Sequence, residues 1–269
     1  MPDSLKQAVK AYWEAEPCGS RGHDANDDEA FFRETEEARY RLDGDLIFGF
    51  AEFPRWRGKR VLEIGVGTGT DFLQWARSGA LAVGIDLTLR AARLTRRRLA
   101  REGLDRPVYV ADAEQLPFAS GSFDLVYSWG VLHHSPSTEK TIAEVRRVLA
   151  PGGEARVMLY HRRSWIALLA WLRHGPLAGH PFASATSVLS THVESPGTKA
   201  YTVAEIRRLF APFEKVEVTP RLTPYDTFDF QPRDVHGRWL RQAAQRLYPR
   251  RVVRALGDGF GWNLLIRAS

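Results

Sequence analysis

Three glycines at alternate positions, Gly65, Gly67 and Gly69, follow the apolar run 61–64, whose only charged residue is Glu63. A glycine turn after such a run lets the backbone approach a ligand closely. A triphosphate-binding loop, G-x-x-x-x-G-K-[ST], needs a lysine after its last glycine, and position 70 is threonine. A dinucleotide turn places its third glycine three positions after the second; here the interval is two. Asp86 and Asp112 each end a later apolar run, and His133, His134, Tyr160 and His161 follow two more. Histidine titrates near neutrality, so these imidazoles are candidate general bases, and Tyr160 could orient an acceptor.

These positions depend on a regular alternation of elements. RVLEI (60–64), LAVGID (81–86), PVYVAD (107–112), FDLVYSW (123–129) and EARVMLY (154–160) read as buried strands. Between them, 71–79 reads as a helix stopped at Gly79, 90–101 as an arginine-rich helix, and 137–149 as a helix capped by Ser137 or Thr138. Strands alternating with helices predict an α/β fold with a parallel, doubly wound sheet. Ligands then bind beyond the C-terminal strand ends: the turn at 65–69, Asp86, Asp112, Trp129 to His134, Tyr160 and His161.

Residues 1–56 read as a helical cap with an acidic, looped interruption at 19–30. After 161 the alternation lapses for about forty residues, the size of an inserted lid over 161–200. Thr202 with Glu205 forms a capping box, and strands follow at 214–220 and 259–268. Asp124, at the start of its strand and away from the ligand edge, reads as structural.

The chain of 269 residues suits one large domain. A single cysteine, Cys18, excludes an intramolecular disulfide and a cysteine-based zinc cluster, and no metal site is expected. The longest apolar stretch, WIALLAWL (165–172), is too short to span a bilayer, and the first residues lack a secretory apolar core. A cytoplasmic protein without stable membrane insertion is the expectation. WIALLAWL is then buried, covers a greasy acceptor, or touches a membrane surface. The net charge of +6 raises nucleic acid as a partner. On the arginine helix, however, Ala92, Thr95 and Leu99 form one stripe and most arginines fall on other faces, which a solvated amphipathic helix explains.

The pattern Glu63-x-Gly65-x-Gly67-x-Gly69 resembles motif I of the class I S-adenosylmethionine-dependent methyltransferases. The stretches 111–134 (ADAEQLPFASGSFDLVYSWGVLHH) and 144–160 (EVRRVLAPGGEARVMLY) extend the likeness, which is close over 58–160 and loose over 200–269. It is nearest to the branch holding quinone-type C-methyltransferases and many small-molecule enzymes. The resemblance implies a Rossmann-like seven-stranded sheet of order 3-2-1-4-5-7-6 with an antiparallel last strand, over 57–269. It implies S-adenosyl-L-methionine as methyl donor and S-adenosyl-L-homocysteine as product. Glu63 would take the ammonium of the donor, and Gly65, Gly67, Thr68 and Gly69 its methionine end. Asp86 would take the ribose hydroxyls, with Leu87 beside it, and Asp112 and Ala113 the adenine. Trp129 would stand at the same edge. Tyr12 and Trp13, from the cap, would close over the sulfonium or adenine, or else simply pack.

A sulfonium donor is already activated, so the protein mainly aligns the reactants and excludes water. A base is needed only where the acceptor loses a proton. His133, His134 and His161 are the candidates, although such paired histidines in the family also serve as a loop supporting the cofactor. SWGVLHHSP (128–136) replaces the Asn/Asp-Pro-Pro-aromatic tetrad of nucleic-acid amino methyltransferases, and no cysteine lies there for a cytosine C5 enzyme. The expectation is methylation of a small molecule, at oxygen or nitrogen ahead of carbon. A C-methyltransferase acting on a lipophilic quinone-like acceptor, a non-catalytic cofactor-binding scaffold and a nicotinamide oxidoreductase are the alternatives.

Overall fold

A computed structural model describes residues 2–20, 28–227 and 248–269. Its centre is β1 (Arg60–Ile64), buried from Val61 onward because helices cover both faces of the sheet. On one side lie β2 (Leu81–Asp86) and β3 (Val108–Val110); on the other lie β4 (Phe123–Trp129) and β5 (Leu149–Tyr160), all parallel. The sheet is completed by β6 (Val216–Arg221) and β7 (Asn263–Ala268), with β7 inserted antiparallel between β5 and β6. The order is β3-β2-β1-β4-β5-β7-β6, as the resemblance implied. The order in which strands are added reverses between β1 and β4, which opens a crevice at their C-terminal ends.

The connecting helices start where the sequence supplies caps. Thr88 caps α4 (Leu89–Arg101), Ser137 caps α5 (Thr138–Val148), and Thr202 with Glu205 forms the capping box of α8 (Val203–Leu209). The first of the series, α3 (Thr70–Arg77), grows directly from the left-handed Gly69. Two apolar layers sandwich the sheet. One gathers Ile47, Phe50, Phe53 and Trp75; the other gathers Leu62, Val126, Val145 and Phe210. Asp124 pairs with Arg60 at 2.7 Å, at the edge opposite the crevice.

Two expectations change. Ala92, Thr95 and Leu99 are buried as the stripe on α4 predicts, but Arg98 is buried with them. Its guanidinium reaches the carbonyls of Thr68 and Phe32, the hydroxyl of Thr70 and the carboxylate of Glu36. It fastens α4 to α2 (Asp28–Ala51) and to the glycine turn rather than facing solvent. The acidic interruption is also shorter than expected, since Asp28 and Glu29 already form the first turn of α2, where acidic side chains suit the helix N-terminus. Residues 21–27 of that stretch lie outside the described residues, as do 228–239 of the polar stretch that follows β6.

Preceding them, α1 (Pro2–Ala15) lies against α4, and Glu14 accepts from the Leu89 and Arg90 amides at 2.9 and 3.0 Å. Residues 161–200 hold α6 (Trp165–His174) and α7 (Ala185–His192), which pack together. On α6, apolar from Trp165 to Leu172, only Ala167 is buried; Ile166 faces the crevice and Leu168 faces outward. After the second undescribed stretch, α9 (Arg250–Leu256) leads into β7.

Candidate functional site

The glycine turn is built so that only glycine fits. Gly65, Gly67 and Gly69 have φ of 84°, 55° and 77°, a region L-residues avoid. A Cβ at Gly65 would stand 2.2 Å from Val131 Cγ2, and one at Gly69 would stand 2.9 Å from Thr95. This turn is one wall of a cavity of about 520 Å³ at the crevice.

Beneath the turn, Glu63 is 4 % exposed, and its Oε2 has no hydrogen-bond partner. Burial, and then the charge of Asp71 close by, hold its carboxyl well above the usual range, against the opposing influence of Arg39 and the Trp75 indole. Asp71 is treated differently: Arg39 forks onto it, with Nε 2.7 Å from Oδ1, and the Tyr127 hydroxyl donates to it at 3.1 Å. Asp86, at the end of β2, accepts from the Thr88 amide and hydroxyl at 2.9 and 2.7 Å and from the Gly67 amide at 3.1 Å. Burial raises its carboxyl in spite of these donors. Asp112 accepts from the Glu114 amide at 2.9 Å and from Lys6 Nζ at 2.6 Å, which brings α1 to the rim.

Of the residues singled out in the sequence, Glu63, Gly65, Gly67, Thr68, Asp86, Leu87, Asp112, Ala113, Trp129, Trp13, His134 and Tyr160 line this cavity. Gly69, Tyr12, His133 and His161 do not. Gly69 serves as the N-cap of α3, and Tyr12 packs edge-on against Trp13. His161 follows Tyr160 on a strand and therefore points to the opposite face. There it is buried, its Nδ1 3.1 Å from the Gly261 carbonyl. His133 is fully buried between the rings of His134 and Tyr160, with neither ring nitrogen partnered. Burial pushes its pKa well below the ordinary value. Neither His133 nor His161 has the access that a base for a bound acceptor needs.

His134 has that access. Its Nδ1 meets the hydroxyls of Ser195 and Thr198 at 2.8 and 3.0 Å, and its Nε2 is 3.2 Å from Glu194 Oε2. The Tyr160 hydroxyl donates to the same Oε2 at 2.9 Å. Burial, and then the charge of Glu194, hold that phenol well above its ordinary pKa. Glu194 itself adopts a left-handed φ of 54°, uncommon outside glycine. His133, His134 and Glu194 also offer ligand atoms within 4.8 Å of one another, a two-histidine, one-carboxylate grouping that the sequence reading did not foresee. It escaped because Glu194 belongs to the insert, sixty residues from the histidines. Arg39, Asp43, Asp71 and Tyr225, which also line the cavity, carry no local motif that would have marked them.

Residues 62–157 match the family model described as a methyltransferase domain. That likeness to a methyltransferase domain rests on little more than a third of the chain. A phthiotriol/phenolphthiotriol dimycocerosates methyltransferase of Mycobacterium ulcerans is 42% identical over 98 residues, which cover 36% of this chain and 35% of that protein. The chain spans little more than a third of the length of the curated relatives it matches first. Among solved structures, a geranyl diphosphate C-methyltransferase from Streptomyces coelicolor superposes with a TM-score of 0.61 at 17% identity, over 98% of this chain and 97% of that one. A phosphoethanolamine N-methyltransferase of Haemonchus contortus gives 0.62 at 19%, over 97% and 59%. At such identities the methyltransferase domain shares their fold, and no more is carried over.

Proposed function

We propose that the domain transfers a methyl group from S-adenosylmethionine to a small-molecule acceptor, at oxygen or nitrogen ahead of carbon, in specialised or cofactor metabolism. The observation that carries this reading is the unpartnered Glu63 carboxylate oxygen beneath a turn that admits only glycine. A buried carboxylate without a donor suits an ammonium, and the donor's methionine end has one. Asp86, with Leu87 beside it, is assigned the ribose hydroxyls, and Asp112 and Ala113 the adenine. Gly65, Gly67 and Thr68 are assigned the methionine end, with Trp129 and Trp13 closing the walls. The donor supplies an electrophilic methyl on a sulfonium. The chain's own work is to hold the acceptor in line, keep water out, and take a proton where the acceptor carries one.

Residues 1–56 act in this reading as a cap, fastened by Lys6 to Asp112 and by Arg39 to Asp71. Residues 161–200 act as an inserted lid that brings Ile166 and Glu194 to the cavity. Among the described residues no helix is long and apolar enough to cross a membrane. The S. coelicolor and H. contortus structures were both obtained with S-adenosylhomocysteine, which agrees with the reading. Calorimetry with S-adenosylhomocysteine and with NADH tests the donor; binding of the nicotinamide alone would end the proposal. Labelled methyl transfer to a panel of phenols, alcohols, amines and quinones tests the activity. Tight donor binding without transfer to any of them would instead favour a scaffold.

A further inference from the structure

The carboxylates facing the cavity fall into three pairs. Asp71 and Asp112 are neutralised by Arg39 and Lys6, the two lysine or arginine side chains on the lining among the described residues. Glu63 and Asp86 are taken up by the donor in the reading above. Asp43 and Glu194 remain; among the described residues neither forms an ion pair with a lysine or arginine, although Arg39 is close enough to favour the charged form of Asp43. Asp43 Oδ1 is buried without a hydrogen-bond partner among the described residues. Both contacts to Glu194, from Tyr160 and His134, fall on Oε2, so among the described residues Oε1 is free for a ligand. His134 is 5 % exposed, lines the cavity, and its Nε2 makes no aligned hydrogen bond.

Around these carboxylates the walls are aromatic. Trp13, Tyr160, Tyr225 and Trp262 all face the cavity, and Tyr160 and Trp262 stack with centroids 4.3 Å apart. Asp43, Glu194 and Tyr225 all line this one cavity. A neutral acceptor would leave the buried Asp43 uncompensated and the half-open Glu194, 37 % exposed, to water alone at Oε1, whereas an ammonium pairs with both and also finds ring faces.

We infer that the acceptor is a cationic amine seated between Glu194 and Asp43 among these rings, with Glu194 as the base. The inference rests on the methyl-transfer reading and narrows it to nitrogen. One N–H proton of the ammonium passes to Glu194 Oε1, leaving the nitrogen lone pair free. That pair forms the bond to the donor's methyl carbon as the carbon–sulfur bond breaks, its electrons remaining on sulfur. The product is a methylammonium ion and a neutral thioether, and the proton held by Glu194 leaves through His134 Nε2. The left-handed backbone at Glu194 fits this assignment, since a strained non-glycine conformation is retained where the side chain must be aimed.

The test uses the full chain saturated with S-adenosylhomocysteine, titrated calorimetrically with 2-phenylethylamine, 2-phenylethanol and 3-phenylpropanoate. The amine is expected to bind at least about tenfold tighter than the alcohol, and the acid not at all, as a desolvated cation–π and ion-pair site requires. Glu194→Gln and Asp43→Asn are each expected to erase that preference while S-adenosylhomocysteine affinity stays within about threefold, and Glu194→Asp should restore part of it. Equal affinities for amine and alcohol, preference for the acid, or binding of no probe would overturn the amine assignment and leave the donor reading standing. Failure of the wild-type chain to bind S-adenosylhomocysteine would overturn both.

Discussion

Arg39 on α2 meets Asp71 in the first turn of α3 as a fork, its Nε 2.7 Å from Oδ1 and its second nitrogen on Oδ2. Asp71 is only 3 % exposed on its side chain, so the cap supplies the cation that lets the carboxylate remain under the site. Arg39→Met would leave that carboxylate buried without its cation, and a loss of about 3–5 kcal/mol in urea unfolding is expected. Arg39→Met with Asp71→Leu should recover most of it. Removing the exposed Arg60–Asp124 pair should cost about 1 kcal/mol or less. A single Arg39 variant as stable as the wild type would remove the pair from any account of how the cap is held.

Asp43 makes a prediction about pH. Burial lifts its carboxyl to about 6, although Arg39 opposes the shift. Between pH ~4 and ~6 the folded chain therefore keeps a proton that the unfolded chain has released, so this residue's contribution to stability falls as pH rises. Measured against Asp43→Asn, the wild type should lose up to ~3 kcal/mol across that window and nothing further above it. A parallel pair of stability curves would show that Asp43 is ordinary.

How these residues became visible differs. The alternation of strands and helices, the glycine turn and Asp86 were legible because each is written locally, in periods of two or 3.6 residues or in a short fixed spacing, whereas the strand order came from the family resemblance. His134 and Tyr160 were legible as positions at strand ends. The burial of Arg98 was not legible, because the helix has the periodicity of a surface helix and the partners of Arg98, Phe32, Glu36 and Thr68, come from distant segments. Glu194 and Arg39 were invisible for the same reason: each acquires meaning from a residue dozens of positions away. His161 was over-read, because strand alternation assigns its neighbour Tyr160, and not it, to the crevice.

Glu63→Gln keeps the shape of the site and removes the charge assigned to the donor's ammonium. S-adenosylhomocysteine affinity should fall about 10- to 100-fold, the range of one charge-assisted hydrogen bond. Because burial holds the Glu63 carboxyl high, wild-type affinity should rise with pH as that carboxyl ionises, and the Gln variant should be flat. Asp86→Ala should weaken binding at least as much. Calorimetry at several pH values reads both, and unchanged affinity in either variant would refute the role given to that side chain.

Gly65 tests the shape of the turn rather than its charge. Alanine there would carry a Cβ into Val131 while holding a left-handed φ of 84°. The expected cost is about 2–4 kcal/mol from strain and overpacking together, with donor binding lost. Adding Val131→Ala should relieve the clash and return part of the stability, but not the backbone penalty. A Gly65→Ala chain that binds S-adenosylhomocysteine normally would mean that the turn does not approach the ligand.

The three histidines should separate cleanly. His134→Ala should lower turnover about 100-fold with S-adenosylhomocysteine affinity retained, as loss of a proton-transfer group does. His161→Ala should leave kcat unchanged and cost about 1–2 kcal/mol, since it loses only a buried contact to the Gly261 carbonyl. His133→Phe should fold as well as the wild type or better, because both imidazole nitrogens are buried without partners. The His133 pKa is depressed by burial, so below pH ~6.5 the unfolded chain binds the extra proton and the wild type loses stability. The Phe variant should lack that loss. Turnover abolished by His161→Ala in a stable protein would place the proton acceptor on the far side of β5, against the geometry of the strand.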